Sequence, residues 1–160
     1  RRWAAIFLST SDGDKKMITS VLLPGLKDKD EGVREMTAIT LRHIHQYPEL
    51  VVPAVLDAWA SEPPESVAPM YYAGAVCVFG TNARPWSPIL VKWIGTNDFG
   101  WWKDKQMWTL AKIDPDAARP LFQLRGGVYS NLFWEMENHP HQQTQKSDLP
   151  PAGKHPATTD

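Results

Sequence analysis

The chain has 160 residues, 42% of them hydrophobic, and a formal net charge of −1 at pH 7. This composition is ordinary for a soluble globular protein, and the length is sufficient for one domain with a hydrophobic core. So small a net charge excludes a global field that would attract nucleic acid or an anionic membrane, and neither partner is expected, although this net charge is compatible with a small basic patch. No apolar run approaches the roughly 20 residues that span a bilayer, so no membrane span is expected.

Cys77 is the single cysteine of the sequence, which excludes an internal disulfide and a multi-thiolate metal site. It lies in the apolar run "YYAGAVCVFG", where we expect it to act as a small buried hydrophobic residue. The cysteine content therefore leaves the cellular compartment undecided.

In chain order, one apolar pattern recurs along the sequence. The segment "VREMTAITLRHI" (33–44) aligns with "APMYYAGAVCVF" (68–79) and "WKDKQMWTLAKI" (102–113), and a further copy begins at Arg1. One aligned column contains Leu8, Leu41, Val76 and Leu110, at spacings of 33, 35 and 34 residues. Because the apolar spacing within each copy is helical, the pattern predicts a helix that recurs at a constant interval.

A second apolar pattern lies between these copies, and each of its members contains a proline. The segments are "SVLLPGLKD", "ELVVPAVLDAW", "PWSPILVKWI" and "AARPLFQL", with Pro24, Pro53, Pro88 and Pro120. Four prolines at one place in a repeat predict a first helix that kinks or begins again at that point. Polar turns such as "KDKDEG" and "SEPPES" separate it from the second helix, so the sequence predicts an all-α fold of paired helices.

The start of the last helix has its own signal in "KIDPDAARP". Asp114 is a good N-cap, and Pro115 suits the first helical position because its missing N–H needs no partner there. Pro48 in "QYPEL" is expected to begin a helix in the same way.

The repeating unit resembles a HEAT repeat. The resemblance lies in "LLPGL" and "VVPAVL", in "KDKDEGVREMTAITL" with its acidic turn and Val33-Arg34, and in "IDPDAARPL". It implies an α-solenoid of HEAT-like helical hairpins over residues 1–127, with about three full repeats and partial repeats at both ends. In that family the arginine commonly pairs with an acidic residue of a neighbouring unit. Pro69 and Lys103 stand at the arginine position in two copies, so an incomplete series of such pairs is expected.

The resemblance also implies that the second helices line a concave binding face. If Ala38 and Leu41 face the core, helical spacing turns Glu35, Ile39 and Arg42 outward. We call these three positions and their aligned equivalents the outward band; the equivalents are Met70, Gly74 and Cys77 in one copy and Asp104, Trp108 and Ala111 in another.

Five residues of the outward band are predicted to bind a protein partner: Glu35, Ile39, Arg42, Asp104 and Trp108. Trp108 is the most suggestive of them, because large aromatic side chains are enriched at binding hot spots. The alternative is that the C-terminal segment covers Trp108. The position of Cys77 in this band also conflicts with the burial expected from its apolar surroundings.

No motif in the sequence predicts catalysis, a metal site or a cofactor. "DGD" (12–14) and "DKDEG" (28–32) lack the EF-hand order of ligands. His43 and His45 would point about 200° apart on a helix and cannot share a metal ion. His139 and His141 lie in a polar tail and are taken as incidental, and there is no Gly-rich phosphate loop and no G-x-S-x-G.

Beyond Gly127 the repeat pattern ends. Residues 128–137 contain enough apolar side chains to form a C-terminal cap over the last helix. Residues 138–160 are rich in Pro, Gln, Thr and Lys and are predicted to form a polar extended tail.

The sequence therefore predicts a non-catalytic protein-interaction or scaffolding module, the C-terminal segment of a longer chain, that binds through its second helices and tail. One alternative is an accessory domain of an enzyme whose catalytic part lies upstream. A remote alternative is a HEAT-like DNA glycosylase, suggested by five tryptophans between residues 86 and 108. The lysines and aspartates among those tryptophans are balanced, which disfavours binding to phosphates.

Overall fold

The structure, a computed structural model, describes the backbone of residues 13–96 and 100–125 and the side chains of residues 13–95 and 104–123. Contacts divide the chain into two units, Arg1–Leu121 and Phe122–Asp160. Several predictions fall outside the described residues: the N-terminal copy with Leu8, the cap at 128–137 and the tail at 138–160.

The described residues form helices and turns without a strand, which confirms the all-α prediction for this part of the chain. In chain order the elements are α1 (Lys15–Leu22), a first 3-10 helix (Leu23–Lys27), α2 (Glu31–Ile44), α3 (Pro48–Ala60), α4 (Ala68–Cys77), a second 3-10 helix (Gly80–Trp86), α5 (Ser87–Thr96), α6 (Gly100–Ile113) and α7 (Pro115–Arg125). Helices α2, α4 and α6 coincide with the three described copies of the recurring pattern, and we call them the second helices.

Acidic caps begin several of these helices. The Asp14 carboxylate accepts a hydrogen bond from the Lys16 backbone N–H at 2.8 Å, and Asp30 accepts one from Val33 at 3.3 Å. Asp114 accepts from the Ala117 N–H at 3.2 Å, which confirms it as the N-cap before Pro115. Since Asp30 caps α2, the helix already includes Glu31 and Gly32, and the turn is shorter than the segment "KDKDEG" suggested.

The helical backbone around the four aligned prolines differs from one proline to the next. At Pro24 the α-helix gives way to a 3-10 helix, and at Pro88 helix α5 has only just begun. Helices α3 and α7 instead continue through Pro53 and Pro120. Pro48 is the first residue of α3, as predicted, so its missing N–H needs no helical partner.

The aligned apolar columns form the core of the first unit. Leu41, Val76 and Leu110 are each 0% exposed, as the shared column predicts. The same holds for two further columns, whose members are all buried: Ala38, Ala73 and Met107, and Ile44, Phe79 and Ile113. The sequence alignment therefore identified the inward faces of α2, α4 and α6 correctly.

Neighbouring helices pack in a regular order. Helix α2 packs against α4, and α4 packs against α6. Each second helix also packs against the element before it, namely the first 3-10 helix, α3 and α5. Helix α3 in turn contacts both 3-10 helices. The three second helices consequently lie next to one another with α4 in the middle.

Candidate interaction surface

The C-terminal halves of the three second helices meet around Cys77 of α4. Thr109 of α6, Lys112 and Lys105 of α6 and Arg42 of α2 all act to lower the pKa of the Cys77 thiol. Because Cys77, Arg42, Thr109 and Lys112 all belong to the last turns of their helices, the three helices run in the same direction. Equivalent positions in the alignment are therefore neighbours in space.

The five predicted partner-binding residues lie on the two outer helices of this set. On α2, Arg42 is exposed and Glu35 and Ile39 are partly exposed; on α6, Asp104 is exposed and Trp108 is partly exposed. Helix α4 separates the two groups and contributes Met70, which is 46% exposed. The five residues thus belong to one surface but do not form a single cluster.

One outward assignment is wrong. Ala111 is 0% exposed, although its aligned equivalents Arg42 and Cys77 retain accessible surface. A fully buried side chain cannot contribute to a binding surface. The outward band therefore ends on α6 at Trp108.

Gly74 of α4 leaves space for the side chain of Arg42 from α2. A Cβ placed on Gly74 would lie 3.5 Å from Cδ and 3.5 Å from Nη1 of Arg42. The Arg42 side chain therefore extends from α2 across the surface of α4 at the position where α4 has no side chain. A larger residue at this position would displace it.

The Cys77 thiol is largely protonated at neutral pH. Burial raises its pKa to about 12, and Thr109 and the cations Lys112, Arg42 and Lys105 only partly oppose that rise. The residue as a whole keeps some accessible surface, while its sulfur is desolvated. This reconciles its outward position with the burial predicted for it, and at neutral pH the nucleophilic thiolate is scarce.

The sequence interpretation missed that Arg42, Lys105 and Lys112 all influence the pKa of Cys77. The three residues occupy different columns of the alignment, so no column shows a shared charge. The available signal was that Lys105 and Lys112 are seven residues apart, on one face of a helix. Burial lowers the pKa of Lys112, so part of this positive charge stands in a poorly solvated place.

A second polar network joins α2 to the turn before α4. Arg34 donates to both carboxylate oxygens of Glu62, from Nε at 2.7 Å and from Nη2 at 2.9 Å. Ser66 Oγ and the Val67 backbone N–H donate to Glu31 at 2.8 and 2.9 Å. Arg34 thus pairs with an acidic residue 28 positions further along the chain, whereas the aligned Pro69 offers no such charge. The network is enclosed and joins helices, so it is a stabilising element rather than a binding site.

The described tryptophans include a pair that packs between helices. Trp59 of α3 and Trp93 of α5 form an edge-to-face contact with ring centroids 6.0 Å apart. Trp59 is 5% exposed, so this pair belongs to the interior and is not a platform for stacking bases. Its place in the core favours the packing interpretation of the tryptophan-rich segment over a nucleic-acid site.

The described residues do not indicate metal binding or membrane insertion. Among the described residues no three His, Cys, Asp or Glu side chains are grouped so that they could hold a metal ion. No helix in the described ranges combines the length and the apolar character that crossing a membrane requires. The chain matches no family model, no curated protein and no solved structure. The geometry and charge of the second-helix surface are therefore the basis for a functional inference.

Proposed function

We propose that this chain is a HEAT-like α-solenoid segment that acts as a non-catalytic protein-interaction or scaffolding module. Its partner would bind across the second helices, on the outward band. The observation that supports this most directly is the side-by-side order of α2, α4 and α6, in which the aligned core residues are all buried. Such an order provides a continuous surface to which each repeat adds one strip.

The contact pattern favours a repeat stack over an irregular helical bundle. Helix α3, the first element of the middle pair, contacts the 3-10 helices before and after it. The second helices α2, α4 and α6 form a row in which each contacts the next. A row of this kind is expected of stacked helical hairpins.

The composition of the outward band suits a protein partner. Ile39 and Trp108 are partly exposed apolar side chains, and Arg42 and Asp104 add exposed charges of both signs. Protein interfaces commonly combine aromatic and arginine anchors with a polar surround. The same mixture of charges disfavours a phosphate backbone, which requires a consistently basic surface.

Site-specific cross-linking tests this proposal. A photoreactive benzoylphenylalanine at Ile39 should form a defined cross-link with a protein from an extract of cells that naturally make the chain. The same group at Lys16, which is exposed on α1, serves as the matched control. A cross-link at position 39 that is absent at position 16, and is weakened by Trp108→Ala, would support the proposal. Equal labelling from both positions, or none from either, would contradict it.

A further inference from the structure

Helix α4 exposes a face without charge. Between residues 67 and 78 six positions retain accessible surface, and none of them has a charged side chain: Val67, Met70, Tyr71, Gly74, Cys77 and Val78. At about 100° per residue these positions fall within one arc of about 120°, and the other residues of this stretch are buried. We call these six residues the α4 face.

The accessible side of a surface helix is normally polar or charged. The neighbouring helices follow this rule, since Glu35 and Arg42 are accessible on α2 and Lys105 is accessible on α6. The α4 face departs from it, and its three most accessible side chains are Val67, Met70 and Val78, at 44%, 46% and 38% exposure. Apolar side chains that share one side of a helix in this way are typical of an interaction surface.

The neighbouring helices extend the apolar surface on both sides. Ile39 of α2 and Trp108 of α6 occupy the same column of the alignment as Gly74, and both are partly exposed. Their large side chains thus flank a position at which α4 has no side chain. The middle of the α4 face is therefore bounded by apolar groups from both neighbours.

One positive charge lies over the middle of the α4 face. A Cβ on Gly74 would be 3.5 Å from Cδ and 3.5 Å from Nη1 of Arg42, so this side chain crosses onto α4 although it belongs to α2. Arg42 is exposed and forms no ion pair within the described part of the chain. A guanidinium in apolar surroundings favours an occupant with a matching carboxylate, because a charge-assisted hydrogen bond is stronger there than in water.

We propose that the α4 face is a docking site for an amphipathic helix of a protein partner. Apolar side chains of that helix would lie against Val67, Met70 and Val78, and one acidic side chain would bind Arg42. This rests on the proposed function and specifies the chemistry of its partner. From Val67 to Val78 the face is about 16 Å long, or about three helical turns, so apolar residues spaced three and four apart on the partner would cover it.

A protein helix fits this face better than a nucleic acid or a membrane surface does. Phosphate backbones and anionic lipids are bound by several lysines and arginines together. The α4 face has no charged residue of its own, and the net charge of the chain is −1. An apolar surface with one overlying cation instead matches an apolar helix with one acidic residue.

Arg42 also has a structural role that the experiment must separate from binding. Its aliphatic stem lies against α4 at Gly74, and its charge stands in the last turn of α2, where it interacts favourably with the helix dipole. Loss of these interactions would change thermal unfolding. It would not make the affinity for a peptide depend on the sign of a charge in that peptide.

Fluorescence polarisation with the full chain tests the inference. The probe is a fluorescein-labelled helix of alanine, glutamine and leucine, with leucines three and four residues apart and one glutamate at the centre of the leucine face. Met70→Glu should weaken its binding by about tenfold or more, because the new carboxylate would be buried against leucine. The matched control Met17→Glu alters a methionine of α1 that is 62% exposed and should leave affinity unchanged.

Circular dichroism checks that both variants fold. If Met70→Glu does not fold, the milder Met70→Gln replaces it, with Met17→Gln as its control.

A charge exchange tests the contact with Arg42. R42E should weaken binding of the glutamate probe, and a probe with arginine in place of that glutamate should bind R42E more tightly than it binds the wild type. K16E alters an exposed lysine of α1 and should leave the affinities of both probes unchanged. A purely structural role of Arg42 would instead weaken the binding of both probes to R42E equally.

Several results would overturn the inference. These are no binding of the glutamate probe to the wild type, equal effects of Met70→Glu and Met17→Glu, and failure of the arginine probe to prefer R42E. A dimer in sedimentation equilibrium that Met70→Glu abolishes would also overturn it, because the occupant of the α4 face would then be a second copy of the chain.

The outcome also separates this inference from the proposed function. A cross-link at Ile39 together with no binding of the glutamate probe would overturn the helical occupant and leave the interaction surface standing. Absence of both would contradict the two proposals together.

Discussion

Arg34 and Glu62 form an enclosed ion pair between residues 28 positions apart in the chain. Their side chains are 14% and 5% exposed. Arg34 Nη1 also donates to the Asp28 carbonyl at 3.0 Å, and the Tyr72 hydroxyl lies 2.8 Å from Glu62 Oε1. Burial raises the pKa of Tyr72 well above its usual range, so this hydroxyl keeps its proton at neutral pH. The buried Glu62 carboxylate therefore accepts hydrogen bonds from both Arg34 and Tyr72.

Removal of the negative charge at this pair should be costly. Glu62→Gln leaves the Arg34 guanidinium enclosed without its counter-charge and should lower the free energy of unfolding by about 3 kcal/mol. The matched control is Asp57→Asn, which breaks the ion pair of Asp57 with Lys27, whose side chains are 66% and 57% exposed. That change should cost less than about 1 kcal/mol. Urea denaturation measures both, and equal small losses would show that the enclosed pair adds no more than an exposed one.

The same carboxylates predict a loss of stability in acid. Burial alone would raise the pKa of Glu62, but hydrogen bonds from Arg34 and Tyr72 outweigh it and hold this pKa below its usual range. The hydrogen bond from Ser66 and that from the Val67 N–H lower the pKa of Glu31 likewise. Since the folded state binds protons less readily than the unfolded state, the contribution is complete above about pH 5 and is lost as the pH falls through the lowered pKa values.

Thermal unfolding between neutral and acidic pH tests whether stability falls with the pH. The melting temperature should fall steadily below about pH 4.5, and the fall should be shallower in Glu62→Gln, which has no carboxyl to protonate at that position. A wild-type melting temperature that stays constant or rises over this range would contradict the assignment.

At the scale of elements, the first 3-10 helix approaches α2 very closely at Gly25. A Cβ on Gly25 would lie 2.5 Å from Oγ1 of Thr37. Thr37 is 2% exposed and donates from that oxygen to the Val33 carbonyl at 2.7 Å. The threonine therefore cannot turn away without losing a buried hydrogen bond. At this contact the first 3-10 helix packs directly against α2.

Gly25→Ala is expected to lower the free energy of unfolding by about 1–3 kcal/mol, because the added methyl group overfills this contact. Gly95→Ala provides the matched control, since a Cβ at that position of α5 meets nothing within 4 Å. There the substitution should be neutral or should stabilise the helix by up to about 1 kcal/mol. Chemical denaturation of the two variants side by side distinguishes these outcomes. Equal effects would mean that backbone propensity, and not the Thr37 contact, determines the result at Gly25.

At the scale of the whole molecule, the proposed stack predicts which helices a substitution in the core destabilises most. Leu41 is 0% exposed on α2, and Leu41→Ala should cost about 2–5 kcal/mol. In a repeat stack each unit contacts only its neighbours, so the loss of protection against hydrogen exchange should be larger in α2 and α4 than in α6.

Hydrogen exchange read by mass spectrometry measures this gradient along the chain. Val78→Ala, at a position that is 38% exposed, is the control and should change stability by no more than about 0.5 kcal/mol. A uniform loss of protection across all helices in Leu41→Ala would indicate a single cooperative core, and would contradict the proposed solenoid.

Much of the fold could be predicted because it depends on local periodicity. The period of an α-helix places residues such as Ala38 and Leu41 on one side, so the repeated columns identified buried positions in three helices. Helix beginnings at Pro48 and Pro115 followed from the chemistry of proline and of the Asp114 cap. These features require only residues that are close in the sequence, and the sequence by itself determined them.

The tertiary structure alone decided which distant residues meet. The pairing of Arg34 with Glu62 and the approach of Gly25 to Thr37 join different elements of the fold, and no periodicity encodes the relative placement of those elements. The left-handed backbone of His45 and Tyr47, with φ of 34° and 59°, is likewise imposed by how α2 must connect to α3. The candidate site consists of contacts of this kind, so the sequence identified the helices that form it, and the packing of those helices determined its charge.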